Sequence, residues 1–280
     1  MAESVAAAWS RERVQTRLDE LVRANRFTIA VVFPVVGAVL LVASAEGLLP
    51  EPLAFNPYLI LLGTLVMRLP LIAGVAPLVG RREALGLAGL TAYAFGIELL
   101  GVTTGWPYGD FSYGIDLGPM LFGKVPIGLP IFFFPLVLNS YLLAALVFGD
   151  RAADPRLRLP VVIGTVLAVD LVLDPAAVAL GFWTYADGGV YYGVPLSNYA
   201  GWVLSATVSV LVIDAAFVRT ELIERVRTCE FMLDDLVSFV LLWGAINGWF
   251  ANWAPVAVAG LFFAALVRIG RFDFAVLGRP

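Results

Sequence analysis

Apolar residues in this chain come in long unbroken runs rather than in alternation. Eight runs stand out, at 27–45, 57–79, 84–104, 125–148, 160–182, 199–218, 236–252 and 255–270. Most approach the roughly 20 residues with which a helix crosses a hydrocarbon layer about 30 Å thick. Alternation would suit a barrel. Continuous runs suit helices, which satisfy their backbone polar groups internally. The expected fold is therefore all-α, a polytopic transmembrane helical bundle of about 7–8 spans. The last two runs are short and meet at Asn252-Trp253-Ala254-Pro255, so they also suit a re-entrant hairpin.

Ahead of the first run lie about 26 mostly polar residues. Within them Val14, Leu18, Leu21 and Val22 recur at helical spacing, with Arg and Glu opposite. That pattern predicts an amphipathic helix on the membrane surface. Residues 29–42 followed by Ala43-Ser44-Ala45 have the look of a cleavable leader, but the polar segment is too long for one. A retained first helix is expected. The domain reading is a cytoplasmic amphipathic segment, 1–26, and a single transmembrane helical domain, 27–280.

Charge orients these spans. Sixteen of the eighteen basic residues fall in the N-terminal segment, the even-numbered connections and the tail, from Arg11 to Arg279. The odd connections hold only Lys124, and Arg68 lies inside the second run. Basic residues favour the cytoplasmic side. A multi-pass cell-membrane protein with both termini in the cytoplasm is expected.

Composition then removes chemistry. The chain is 60% hydrophobic, lacks histidine and has one cysteine, Cys229; its mean hydropathy is +0.89. Histidine metal sites, histidine bases and serine–histidine triads are excluded. One thiol makes no internal disulfide, and no CxxC is present. No metal-ligand set and no Gly-rich phosphate loop is seen. No cofactor, metal or nucleic-acid partner is expected; the lipid bilayer is the evident one.

Polar residues inside the runs need a reason, since each costs about 2.5–3.5 kcal/mol on insertion scales. Asp170 and Asp174 stand at i, i+4, on one helix face about 6 Å apart. Two carboxylates that close in an apolar site do not both ionise. Pro175 frees a backbone carbonyl near Leu171. Glu98 and Asp174 fall at similar depth, roughly 9–14 Å below the outer interface. Arg68 lies deeper, with a side chain long enough to snorkel toward them. Asp214 is expected at the cytoplasmic interface, solvated there. Asn139 and Asn198 suit interhelical hydrogen bonds.

Two outer connections, 105–130 and 181–198, resemble one another. Each follows a run with an acid, opens on a Gly–aromatic pair, carries tyrosines and closes on Val-Pro. Interface belts explain such aromatics too. With the acids beneath, however, they suggest a pocket. Catalytic candidates are Glu98, Asp170 and Asp174. Substrate-contact candidates are Arg68, Trp106, Tyr108, Asp110, Tyr113, Trp183, Tyr185, Tyr192 and Asn198. An acid in an apolar cavity can protonate an alkene. Aromatic faces can stabilise the cation, each by about 0.5–2 kcal/mol, and a second carboxylate can take a proton from attacking water.

The segments GWPYGDFSYGIDLGP, KVPIGLPI, DLVLDP, GFWTY and YYGVPLSNYAGW resemble the CruF-type carotenoid hydratase family, in order, across about residues 90–205. That resemblance implies addition of water to the terminal trisubstituted double bond of an acyclic carotenoid, without redox cofactor or metal. In the archaeal branch, toward which the acidic, Arg-dominated composition leans, it implies conversion of bisanhydrobacterioruberin to bacterioruberin. Implied partners are the carotenoid, water and other carotenoid biosynthesis enzymes. Two alternatives stay open. Asp170-x-x-x-Asp174 resembles half of the aspartate-rich signature of membrane prenyltransferases, although Asp234-Asp235 is a poor second half. A non-enzymatic carotenoid-binding membrane protein would use the same acids as register pairs.

Overall fold

Each long run closes into a helix whose ends are set by local chemistry. In the computed structural model, residues 10–271 are described; residues 1–9 of the amphipathic segment and Arg279 lie outside them. The helices are α1 Arg11–Ala24, α2 Thr28–Ala45, α3 Pro57–Val75, α4 Arg81–Thr104 and α5 Leu129–Phe148. They continue as α6 Pro155–Leu180, α7 Leu196–Ala216, α8 Arg219–Thr228, α9 Asp234–Trp249 and α10 Trp253–Arg268. Asn56 caps α3, its side chain accepting from the N–H groups of Tyr58 and Leu59 at 3.0 and 3.1 Å. Asp154 caps α6 through Arg156 N–H at 2.9 Å. In both helices proline follows the cap, where its missing N–H costs nothing.

Helices α2 to α7 are long and apolar enough to cross a membrane. Of the eight expected spans, the last two differ. α9 and α10 have 16 residues each, about 24 Å of helix and short of the roughly 30 Å core. α9 packs against α2, α3, α5, α6 and α10. Protein rather than lipid surrounds it, so its length need not match the bilayer. This central helix carries much of the core, including Leu236, Val237, Phe239 and Ile246.

The ends of the bundle differ in chemistry. At one end, guanidinium groups meet carbonyls near helix C-termini: Arg11 at Ala76 (3.1 Å), Arg225 at Gly74 (3.0 Å) and Arg219 at Ala153 (2.8 Å). Such carbonyls lack intrahelical partners, and cations suit them. α1 does more than lie on the surface. Val22 is fully buried while Val14 and Leu21 stay exposed, and Arg26 is bonded to Asp234 at 2.7 and 2.9 Å. Asp214 departs from the expectation of interfacial solvation. It lies against Arg158, with Nε to Oδ1 at 3.1 Å, and accepts from the Tyr141 hydroxyl at 2.6 Å. A fixed cation and a donor from neighbouring helices replace water there.

At the opposite end, the two resembling connections pair with each other. α4 and α6 each stop at a left-handed glycine, Gly105 (φ 74°) and Gly181 (φ 77°), a conformation that glycine takes without steric cost. The chains then form β1 Phe111–Tyr113 and β4 Trp183–Tyr185, antiparallel, with Phe111 opposite Tyr185 and Tyr113 opposite Trp183. Met120–Leu121 (β2) and Val125–Pro126 (β3) make a second small ribbon in the longer connection.

Candidate active site

Strand side chains alternate between faces. FSY and WTY therefore send four aromatic rings to one side of the β1–β4 ribbon and Ser112 and Thr184, both exposed, to the other. All four rings, Phe111, Tyr113, Trp183 and Tyr185, line a cavity of about 120 Å³ between the helices. The ribbon is its roof. Walls come from α3 to α7, with Phe133 of α5 stacked on Trp202 of α7 at 5.9 Å between ring centres and 22° between planes. Gly201 makes room for Tyr108 on this wall; a Cβ there would fall 2.4 Å from the Tyr108 ring.

Glu98 from α4 and Asp174 from α6 both face the cavity. The Tyr113 hydroxyl donates a hydrogen bond to Glu98. Tyr185 lies close to Asp174. Burial first, and then the neighbouring carboxyl, pushes both phenols well above their ordinary range. They therefore remain O–H donors at any physiological pH. Each acid thus has beside it a tyrosine from the roof strand that follows its own helix, and Tyr113 is hydrogen-bonded to its acid.

Asn198 supplies the other constraint. Its Nδ2 donates to Asp174 and, at 3.0 Å, to Asp170 Oδ2. Asp170 is fully enclosed one turn deeper on α6, behind the cavity wall, and its Oδ1 has no hydrogen-bond partner among the described residues. The carbonyl freed by Pro175, that of Leu171, is 3.4 Å from the Tyr191 hydroxyl. The next carbonyl, Val172, accepts from Asn247 of α9 at 2.7 Å. Side chains from outside α6 therefore hold the backbone turn that separates the two aspartates.

Of the residues singled out from sequence, the fold brings Glu98, Tyr108, Tyr113, Asp174, Trp183, Tyr185 and Asn198 around one space. Tyr108 is buried and bonded to Ser205 at 2.7 Å. Four others lie elsewhere. Trp106 is 57% exposed. Asp110 contributes its backbone carbonyl to Ala186 N–H at 2.8 Å. The Tyr192 hydroxyl accepts from Ala254 N–H at 3.2 Å. Arg68 does not reach Glu98 or Asp174. It bonds Asp235, which also accepts from Asn139 at 2.5 Å.

Among the described residues, no arginine or lysine lines the cavity. Two carboxyls from different helices thus face an aromatic chamber with phenol and amide donors but no cation, an arrangement suited to moving protons. Against that geometry, comparison with known proteins is informative. Residues 55–266 match the family described as "Carotenoid biosynthesis protein". The chain belongs to that family. The matched region contains every residue of the cavity. A curated relative, the bisanhydrobacterioruberin hydratase of Haloarcula japonica, is 61% identical over 96% of this chain and 92% of its own length. No solved structure matches the chain.

Cavity residues that sequence reasoning passed over include Trp202, Phe133, Phe182 and Trp243. Each lies within or beside a long apolar run, where a ring facing a cavity and a ring facing lipid look alike. Trp202 closes the YYGVPLSNYAGW segment, and that proximity to Asn198 was its one visible signal.

Proposed function

We propose that this chain is a carotenoid hydratase that converts bisanhydrobacterioruberin to bacterioruberin by acid-catalysed addition of water. The observation that carries the reading is the pair Glu98 and Asp174, facing one aromatic cavity that no basic residue among those described lines. The relative's name supports the substrate.

In the proposed reaction, Asp174 gives its proton to the less substituted carbon of the terminal alkene. The π pair forms the new C–H bond, and the positive charge develops on the tertiary carbon. Rings such as Trp183 and Trp202 face that charge, each worth about 0.5–2 kcal/mol. A water oxygen then bonds to the cationic carbon and loses a proton to Glu98, whose acceptor oxygen is fixed by Tyr113. Transfer of that proton back to Asp174 restores the site. The sum is alkene plus water to tertiary alcohol. No electrons are gained or lost, so the chemistry requires no redox cofactor. Asp170 touches no reacting atom in this scheme. It shares Asn198 with Asp174 and sets the position and charge of the donor.

The name bisanhydro denotes two missing waters. One chamber holds one end at a time, so two successive hydrations follow, with release or reversal between them. We place the roof outside and both termini in the cytoplasm, on the basis of the arginine bias. Expression in a host that makes bisanhydrobacterioruberin tests the reading. Products heavier by one water and then by two are expected, the first rising before the second. Unchanged pigment mass with pigment still bound would instead indicate a carotenoid-binding protein. The prenyltransferase reading has less support, because Asp234 and Asp235 are engaged by Arg26 and Arg68.

A further inference from the structure

One set of polar side chains at the chamber has no part in the reaction as written. Tyr108, in the connection between α4 and β1, lines the cavity. Its hydroxyl lies 2.7 Å from Ser205 Oγ on α7, and Ser205 Oγ lies 3.1 Å from the Tyr93 hydroxyl on α4. Of the three, only Tyr108 lines the cavity, and Ser205 is fully buried. Three hydroxyls therefore form a chain from the chamber wall into the contact between α4 and α7.

Packing alone does not require that chain. The Tyr108 ring is already confined: a Cβ on Gly201 of α7 would fall 2.4 Å from it and one on Gly101 of α4 3.1 Å. The Trp202 ring is centred 6.2 Å away. Phenylalanine would fill the same space and leave no hydroxyl to satisfy at membrane depth. The oxygen needs a reason of its own.

Glu98 supplies one. Tyr108 lies close to it. Burial first, and then that carboxyl, hold the phenol well above its ordinary range, so it stays neutral. A neutral phenol has one hydrogen to give and lone pairs that accept. It is more acidic than an alcohol, so its hydrogen goes to Ser205 and its own oxygen is left to accept. Attacking water has complementary needs. One of its hydrogens is lost to Glu98. The other stays on oxygen as the hydroxyl hydrogen of the product. That second hydrogen requires an acceptor that holds it without removing it, and the lone pair is then aimed at the cationic carbon. A second free carboxylate would compete for the proton; a phenol oxygen does not.

We infer that Tyr108 and Glu98 together seat the attacking water, with Tyr108 accepting the O–H that becomes the product hydroxyl, and that Ser205 is a positioning residue that takes up the Tyr108 hydrogen. This rests on the hydratase reading and adds to it the place from which water attacks. The water oxygen bonds to the tertiary carbon, the O–H bond facing Glu98 breaks, and the O–H bond facing Tyr108 persists.

The fate of the cation in D2O tests this, with bisanhydrobacterioruberin and the protein in its membrane. Asp174, carrying deuterium, labels the alkene carbon. Where water captures the cation, the label appears in the alcohol. Where no water is seated, the cation loses a proton back to Asp174, and the label appears in an alkene. Tyr108→Phe keeps the ring and removes the acceptor, and Ser205→Ala removes the partner of the Tyr108 hydrogen. Both should lower hydration about tenfold or more while total deuterium uptake falls less than about threefold, so that labelled alkene rises against alcohol. Tyr93→Phe, one link further away, should shift the ratio less and in the same direction. Equal losses of hydration and uptake, or an unchanged ratio, would overturn the proposal and leave the hydroxyls as a tie between α4 and α7. A parent protein that takes up no deuterium and adds no water would instead overturn the hydratase reading, and this proposal with it.

Discussion

Asp235 and Asp174 are both enclosed carboxylates on helices of this bundle, and their surroundings differ in one respect. Asp235 on α9 meets the guanidinium of Arg68 and the amide of Asn139. Asp174 on α6 accepts from an amide and lies near a phenol, with Glu98 across the cavity and Asp170 behind, and no guanidinium among the described cavity residues. The same division holds more widely: Asp234 is matched by Arg26 and Asp214 by Arg158. Where charge is neutralised on the spot, the acid fixes how helices fit. Where neutral donors alone surround it, a proton is the means of neutralisation, and a proton can be handed to a substrate.

Substitutions can break this contrast. The largest effect is expected at the unneutralised acids. Asp174→Asn and Glu98→Gln should each lower hydration about 10²–10⁴-fold, measured as carotenoid product in membranes, with melting temperature in detergent nearly unchanged. A substantial rate from either variant would remove it from the reaction. At the neutralised acid the outcome should be opposite in kind. Asp235→Ala leaves Arg68 buried and unpaired and should destabilise the fold by about 3–5 kcal/mol. The double variant Arg68→Met with Asp235→Leu should recover most of that. A thermal melt shows both, and a stable Asp235→Ala protein would contradict the structural role.

Smaller effects sharpen the chemistry. Tyr113→Phe removes the roof donor to Glu98. A hydrogen bond to a charged group is worth about 1.5–3 kcal/mol, so kcat should fall about ten- to a hundredfold with KM little changed. Trp202→Leu removes one aromatic face. A loss of about 0.5–2 kcal/mol should appear in kcat, and Trp202→Phe should restore part of it. If Trp202→Leu raised only KM, the ring would be a binding surface rather than a partner of the cation.

Much of this was legible in the residues. The helical class and a helix in the opening segment follow from apolar periodicity, and the energetic cost of charge in hydrocarbon singles out Glu98, Asp170 and Asp174 as residues that need a reason. The likeness between the two outer connections was visible too, though not that they pair with each other. Arg68 shows the limit. Its position near the acids along the chain, and its length, pointed toward Glu98 and Asp174. Its partner, Asp235, lies 167 residues away, at the start of another run, and only the packing of the two helices brings the pair together.

What the sequence determined by itself is therefore local and energetic: which segments are helical, where they end, and which side chains require a compensating partner. The tertiary structure alone decided who supplies that compensation. Pairing of β1 with β4 is a contact between segments some 70 residues apart, and it turns two aromatic stretches into one roof. The central position of α9 assigns an arginine to Asp235 and leaves Asp174 without one. Such assignments depend on which helix faces pack together. That is a property of the whole bundle, which no periodicity within one helix encodes.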